Sequence, residues 1–236
     1  MNRITRTALA TALAVTTLGA SFAMGSNAKV RFVHASPDAP PVDILVNGNA
    51  AFQGLAFGQV SEYATVPASQ YDVQVVPAGQ TTPVVIDAQD VSLFYATSYT
   101  VIALNTLSSI EPLVLVDEKR PAPRNAARVR FVHASPDAPA VDIAVAGGPI
   151  LFSNVEFKGV GDYVAVPAGT YDLQVRLAGT ETVVLPLSGV KVNGGITYTV
   201  YATGFAGSTP SLSAVVSVDR TSPAVAGRYD DDKKSR

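Results

Sequence analysis

Val30–Pro40 reads VRFVHASPDAP, and the same eleven letters return at Val129–Pro139. The identity runs on to Ile44 and Ile143, broken only where Pro41 of the first copy is Ala140 in the second. Each copy opens as a strand. In an extended chain Val30, Phe32 and His34 share one face, and Arg31 and Val33 share the other. A loop follows, in which Pro37 fixes the backbone and Asp38 suits an Asx-turn. A second β-branched run, Val42–Val46, then meets Asn47-Gly48-Asn49, a hairpin signal.

The match extends beyond the loop. EYATVPASQYDVQV (Glu62–Val75) aligns with DYVAVPAGTYDLQV (Asp162–Val175), and SYTVIA (Ser98–Ala103) with TYTVYA (Thr197–Ala202). The offset holds at 99 or 100 residues, so one domain is duplicated. The segment Val76–Thr97 matches its counterpart far more loosely. Within a copy, Tyr63–Val66, Tyr71–Val76, Tyr99–Leu104 and Leu113–Val116 read as further strands, separated by Pro- and Gly-bearing turns, and no segment has the period of an amphipathic helix. About seven short strands in about 90 residues predict a β-sandwich. The expected layout is a first sandwich at 29–118, a linker at 119–128, a second sandwich at 129–219 and a polar, charged, disordered tail at 220–236. DEKRPAPRNAAR (Asp117–Arg128), with its charges and two prolines, marks a short, stiff connector.

The N-terminus reads as an export signal over 1–28. Arg3 and Arg6 precede the apolar run Ala8–Leu18, and cleavage is expected after Ala23 or Ala28. The apolar run is too short to span a bilayer and no second one follows, so a cleaved signal and an extracytoplasmic location, whether periplasm, cell surface or medium, are expected. The chain has no Cys, which removes disulfides, thiolate zinc sites, iron–sulfur clusters and thiol catalysis. Net charge is −2, unevenly spread: Lys29–Glu118 holds two basic and nine acidic residues, and Val129–Asp219 four and seven. Acidic domains repel phosphate backbones, so nucleic acid is an unfavoured partner.

The pairing of HASPDAP-VDI with VPAGTYDLQV (Val166–Val175) resembles a domain-of-unknown-function family, number 4397, and the second stretch alone resembles transthyretin-like and immunoglobulin-like modules of bacterial surface proteins. The resemblance covers nearly the whole chain after the signal, in both copies. It implies an all-β fold of two tandem immunoglobulin/transthyretin-like β-sandwiches outside the cytoplasm, and it implies no catalytic residue.

His34 and His133 are the only histidines and occupy equivalent positions. Three readings of their loops compete. In the first, His34 is a structural pin that bonds backbone or a carboxylate such as Asp43. In the second, each loop binds a divalent ion or ligand, through His34, Asp38 and Asp43 in one copy and His133, Asp137 and Asp142 in the other, although the spacing fits no recognised zinc or calcium loop. In the third, His34, Ser36 and Asp38 are triad letters; they sit on one five-residue stretch and cannot place a base between nucleophile and acid. Tyr71 and Tyr171 follow Pro-Ala turns and suit corner tyrosines bonded to nearby backbone, with Asp72 and Asp172 pointing to solvent beside them. The expectation is therefore a non-enzymatic envelope or secreted protein without a cofactor, structural, adhesive or protein-binding in role, with an envelope protein or glycan as partner. The alternative is a ligand- or metal-binding module built on the two loops.

Overall fold

The computed structural model describes residues 27–221; most of the expected signal segment and most of the expected tail lie outside them. Among the described residues every long element is a strand. The first repeat holds β1 (Asn27–His34), β2 (Val42–Val46), β3 (Asn49–Leu55), β4 (Ala64–Pro67), β5 (Gln70–Pro77), β6 (Ile86–Ser92), β7 (Ser98–Leu104) and β8 (Glu111–Val116). The second repeats them as β9 (Ala126–His133), β10 (Val141–Val145), β11 (Ile150–Val155), β12 (Val164–Pro167), β13 (Gly169–Leu177), β14 (Val183–Val192), β15 (Ile196–Thr203) and β16 (Ser213–Thr221). In each repeat two four-stranded sheets stack, ordered β4-β1-β7-β8 and β3-β2-β5-β6 in the first, β12-β9-β15-β16 and β11-β10-β13-β14 in the second. The result is two tandem β-sandwiches.

The alternation read from VRFVH carries the packing. Val30 and Phe32 enter the first sandwich core with Val42, Ile44, Val75 and Ile86, where Phe32 meets Phe52 at 5.0 Å between ring centroids. Val33 points the other way and is equally buried, against the second repeat. One apolar cluster joins Val33, Ala35, Ile102, Leu104 and Leu115 to Val132, Ala134 and Tyr201. Strands β1 and β9 are thus covered on both faces, which is why this motif has so few exposed residues.

The strands differ from the expectation in places. β3 is the second arm of the hairpin that Asn47-Gly48-Asn49 signals, but its bounds and those of β6 carry no mark in the sequence, because Asn49–Leu55 and Ile86–Ser92 are edge strands with mostly exposed or half-exposed residues and little apolar alternation. β9 begins at Ala126, three residues before the expected start, so Arg128 lies in a strand and not in the linker. β16 continues to Thr221, past the expected end at 219. The connector is also no free spacer. Asp117 and Ala122 are buried, Lys119 donates to Thr97 Oγ1 at 3.2 Å, and Arg220 donates to the Lys119 carbonyl.

Tyr71 and Tyr171 donate their hydroxyls to the Pro67 and Pro167 carbonyls, each at 2.8 Å, as corner tyrosines do. Tyr71→Phe and Tyr171→Phe should each cost about 1 kcal/mol of unfolding free energy, one net hydrogen bond, measured by urea denaturation. Asp72 and Asp172 are exposed as expected, yet each also accepts a backbone N–H, from Asp90 at 3.1 Å and from Gly189 at 2.8 Å.

Candidate functional site

The repeated loop leaves β1 with its backbone held from both sides. His34 N–H donates to the Gln59 carbonyl at 3.1 Å, Gly58 N–H donates to the His34 carbonyl at 2.8 Å, and Ala35 N–H donates to the Ala103 carbonyl at 2.8 Å. The His34 side chain is fully buried. Its Nε2 lies 2.9 Å from the Pro40 carbonyl, and in the second repeat His133 Nε2 lies 3.0 Å from the Pro139 carbonyl. A carbonyl only accepts, so Nε2 carries the proton in both. Of the two expected kinds of partner, backbone or a carboxylate such as Asp43, the imidazole takes backbone, because the loop folds back on its own proline. Phe57 and Phe157 stand edge-on to the two imidazoles, with centroids 6.4 Å away in both cases. Burial lowers both histidine pKa values, against the opposing pull of the proline carbonyls, and so favours neutral imidazole.

The carboxylates have separate employments. Asp38 accepts Leu107 N–H at 2.7 Å, and Asp137 accepts Ala206 N–H at 2.7 Å and Gly207 N–H at 3.2 Å, which ties each loop to the connection between the repeat's last two strands. Asp43, buried on the outer face of its sheet, accepts Gly54 N–H at 2.7 Å and Gly79 N–H at 2.8 Å. Asp142 does the same with Asn154 at 2.6 Å and Gly179 at 2.9 Å. The clamped residue is in the left-handed region, φ 64° at Gly54 and 50° at Asn154, which explains why the two repeats offer Gly and Asn there. Among the described residues no group of three or more His, Asp or Glu side chains is gathered as a metal would require. The six candidate ligands His34, Asp38, Asp43, His133, Asp137 and Asp142 are each turned toward backbone of their own repeat. Ser36 is buried without a protein partner for its hydroxyl, and Ser135 reaches Asp137 at 3.4 Å. Neither forms a bonded chain with the imidazole Nε2, so the triad letters make no relay.

A second polar cluster lies between the repeats, and the sequence reading missed it. Arg31 and Arg130, 2% and 4% exposed, sit on the strand faces opposite Phe32 and Phe131. Arg31 forms an ion pair with Asp219 of the other repeat and donates to the Val218 carbonyl at 3.1 Å. Arg130 pairs with Asp117 at 2.5 Å and donates to the Val116 carbonyl at 3.1 Å. Tyr63 and Tyr163 each cover a guanidinium at 4.6 Å and donate their hydroxyls at 2.6 Å to Asp117 and Asp219. Thr100 accepts from Arg31 and donates to Asp117, as Thr199 accepts from Arg130 and donates to Asp219. Two cations and two anions thus close into a neutral ring with a pseudo-two-fold axis, each repeat giving the other what it receives. Burial raises the Tyr63 and Tyr163 pKa values, and the adjacent aspartates raise them further, so both phenols remain donors. For Arg31 burial works against the charge, but the Asp219 carboxylate beside it offsets this and the guanidinium stays charged. The signal was available: an Arg inside an apolar strand in both copies, and a Val-Asp step near the end of the last strand of both.

A family model for a domain of unknown function (DUF4397) matches residues 28–144 and 144–230 in consecutive segments. The chain belongs to the DUF4397 family. No curated protein matches it. In this DUF4397 protein the most repeated residues are those that close the loop on itself, clamp sheet edges and join the repeats. No helix among the described residues is long and apolar enough to cross a membrane.

Proposed function

We propose that this DUF4397 protein is a non-enzymatic, extracytoplasmic interaction module, whose two sandwiches act as one body in the cell envelope or at the cell surface. The observation that carries this reading is the use of every ionisable group in the repeated loops for internal hydrogen bonds. A group already engaged by backbone of its own repeat is poorly placed to turn over a substrate or to ligate an ion. The neutral ring between the repeats supports a fixed relative orientation, which suits a protein that presents two surfaces at a set distance. The N-terminal signal reading supports export. Ala28 is 1% exposed within β1, so removal of residues through Ala28 would strip the strand's start, and this favours cleavage after Ala23.

The test is co-sedimentation of the exported chain with isolated cell envelopes, with and without EDTA. Sedimentation that survives EDTA is the expected result and supports docking to protein or glycan. Loss of sedimentation with EDTA would transfer the assignment to a divalent-ion module, and failure to sediment at all would overturn the envelope role.

A further inference from the structure

The neutral ring between the repeats keeps its pseudo-two-fold axis, but the layer beside it does not. Lys29 lies two residues before Arg31 on the same strand face, between Thr65 of β4 and Ser98 of β7. Its counterpart Arg128 lies between Ala165 of β12 and Thr197 of β15. Arg128 has an acid within reach: Glu118, the residue after the ring's Asp117, is 3.9 Å away. The residue after the ring's other aspartate, Asp219, is Arg220. Where the axis gives Arg128 a carboxylate, it gives Lys29 a second cation.

Lys29 and Arg220 border one cleft of about 520 Å³ at the junction of the repeats, and Lys119 borders it with them. All three are exposed. Lys119 reaches the neutral Thr97 hydroxyl at 3.2 Å, and Arg220 donates to the Lys119 carbonyl. Among the described residues none of the three joins a salt bridge. Two acids also border the cleft, and both are already matched, Asp219 by Arg31 and Glu118 by Arg120 and Arg128. Three cations without a counter-charge from the chain thus share one concavity in a protein whose net charge is −2. Their mutual repulsion opposes folding, and an anion held among them reverses its sign. The other half of the junction indicates which anion, because there a carboxylate holds the equivalent place. Arg220 spends one guanidinium nitrogen on the Lys119 carbonyl, and the remaining N–H donors suit a carboxylate. The two ammonium groups can serve a further carboxylate, and the cleft has room for the carbon skeleton that joins them.

We propose that the junction binds, on its Lys29 side, a ligand carrying two or more carboxylates. This site is separate from the repeated loops and goes beyond the interaction role proposed above. The test is calorimetric titration of the full exported chain with citrate at low ionic strength. Wild type should bind one equivalent saturably, and added salt should weaken the binding, as it does between exposed charges. Arg220→Glu gives Lys29 the carboxylate that Glu118 gives Arg128. It should weaken binding about tenfold or more while the melting temperature holds or rises. Should that variant fail to fold, Lys29→Gln reads the same loss. Polygalacturonate is the second arm: binding tighter per site than citrate makes a carboxylated polymer the source of the ligand, and weaker binding makes it a free polycarboxylate. Absence of saturable binding of both probes to wild type, undiminished binding by both variants, or tighter binding of inorganic phosphate than of citrate would overturn the inference.

Discussion

Asp219→Ala should destabilise the protein by about 3–5 kcal/mol, the range found when one partner of a buried ion pair is removed and the other charge is left behind. Asp219 is the acceptor for Arg31, Tyr163, Thr199 and Ser217, so the substitution orphans a buried guanidinium and three hydroxyls at once. Asp117→Ala should behave alike, because Asp117 receives Arg130, Tyr63 and Thr100. An exposed pair would lose at most about 1 kcal/mol, so urea denaturation separates a buried junction from a surface contact. The shape of the curve is a second readout. Wild type should unfold in one cooperative transition, since the apolar cluster around Val33, Val132 and Tyr201 and the charged ring both span the two repeats. Asp219→Ala should divide it into two. Arg31→Met combined with Asp219→Ala should cost less than the sum of the single changes, by about 0.5–3 kcal/mol, the coupling typical of residues in one network.

His34→Ala and His133→Ala should each cost about 2–4 kcal/mol at pH 7, from the space left by a fully buried ring and the stranded proline carbonyl. Each should also alter the pH dependence of stability. The native histidines titrate below the ordinary value because they are buried, so the unfolded chain binds more protons as pH falls below about 6.5. The stability due to neutral imidazole is therefore fully present above that pH and is lost as pH falls toward the native pKa values. The slope approaches about 1.4 kcal/mol per pH unit for each histidine. Wild type should weaken as pH falls below about 6.5, and each substitution should remove one proton's share of that slope. Unfolding free energies measured at several pH values check this. A profile unchanged by substitution would mean that the imidazoles titrate in the folded protein as they do in water.

The fold was largely legible because the signals that specify it are local. Period-two alternation in Val30–His34 separates two faces, turn residues bound each strand, and the offset of 99 or 100 residues reveals the duplication. The bounds of β3 and β6 were not legible, for a physical reason. An edge strand forms through backbone pairing with a neighbour and needs little side-chain burial, so it leaves no apolar pattern. The repeated loop was legible as a unit, and a histidine pinned to backbone or to a carboxylate such as Asp43 was one reading of it; which of the two accepts from the imidazole was not legible. Which acceptor an imidazole finds depends on how the loop closes, and Pro40 is brought to it by the turn.

The sequence by itself determined two all-β repeats, their order, the inward face of the first strand and the internal role open to its tyrosines. Only the tertiary structure decided where Arg31 and Arg130 go. Their partners lie 188 and 13 residues away in the chain, in the opposite repeat, and no local pattern encodes a contact made by docking one sandwich on another. It alone also decided that a space of about 80 Å³ lies among Val73, Ala88 and their neighbours where about 40 Å³ remains beside Leu173 and Leu187, because a cavity depends on what every neighbouring strand contributes at the same depth.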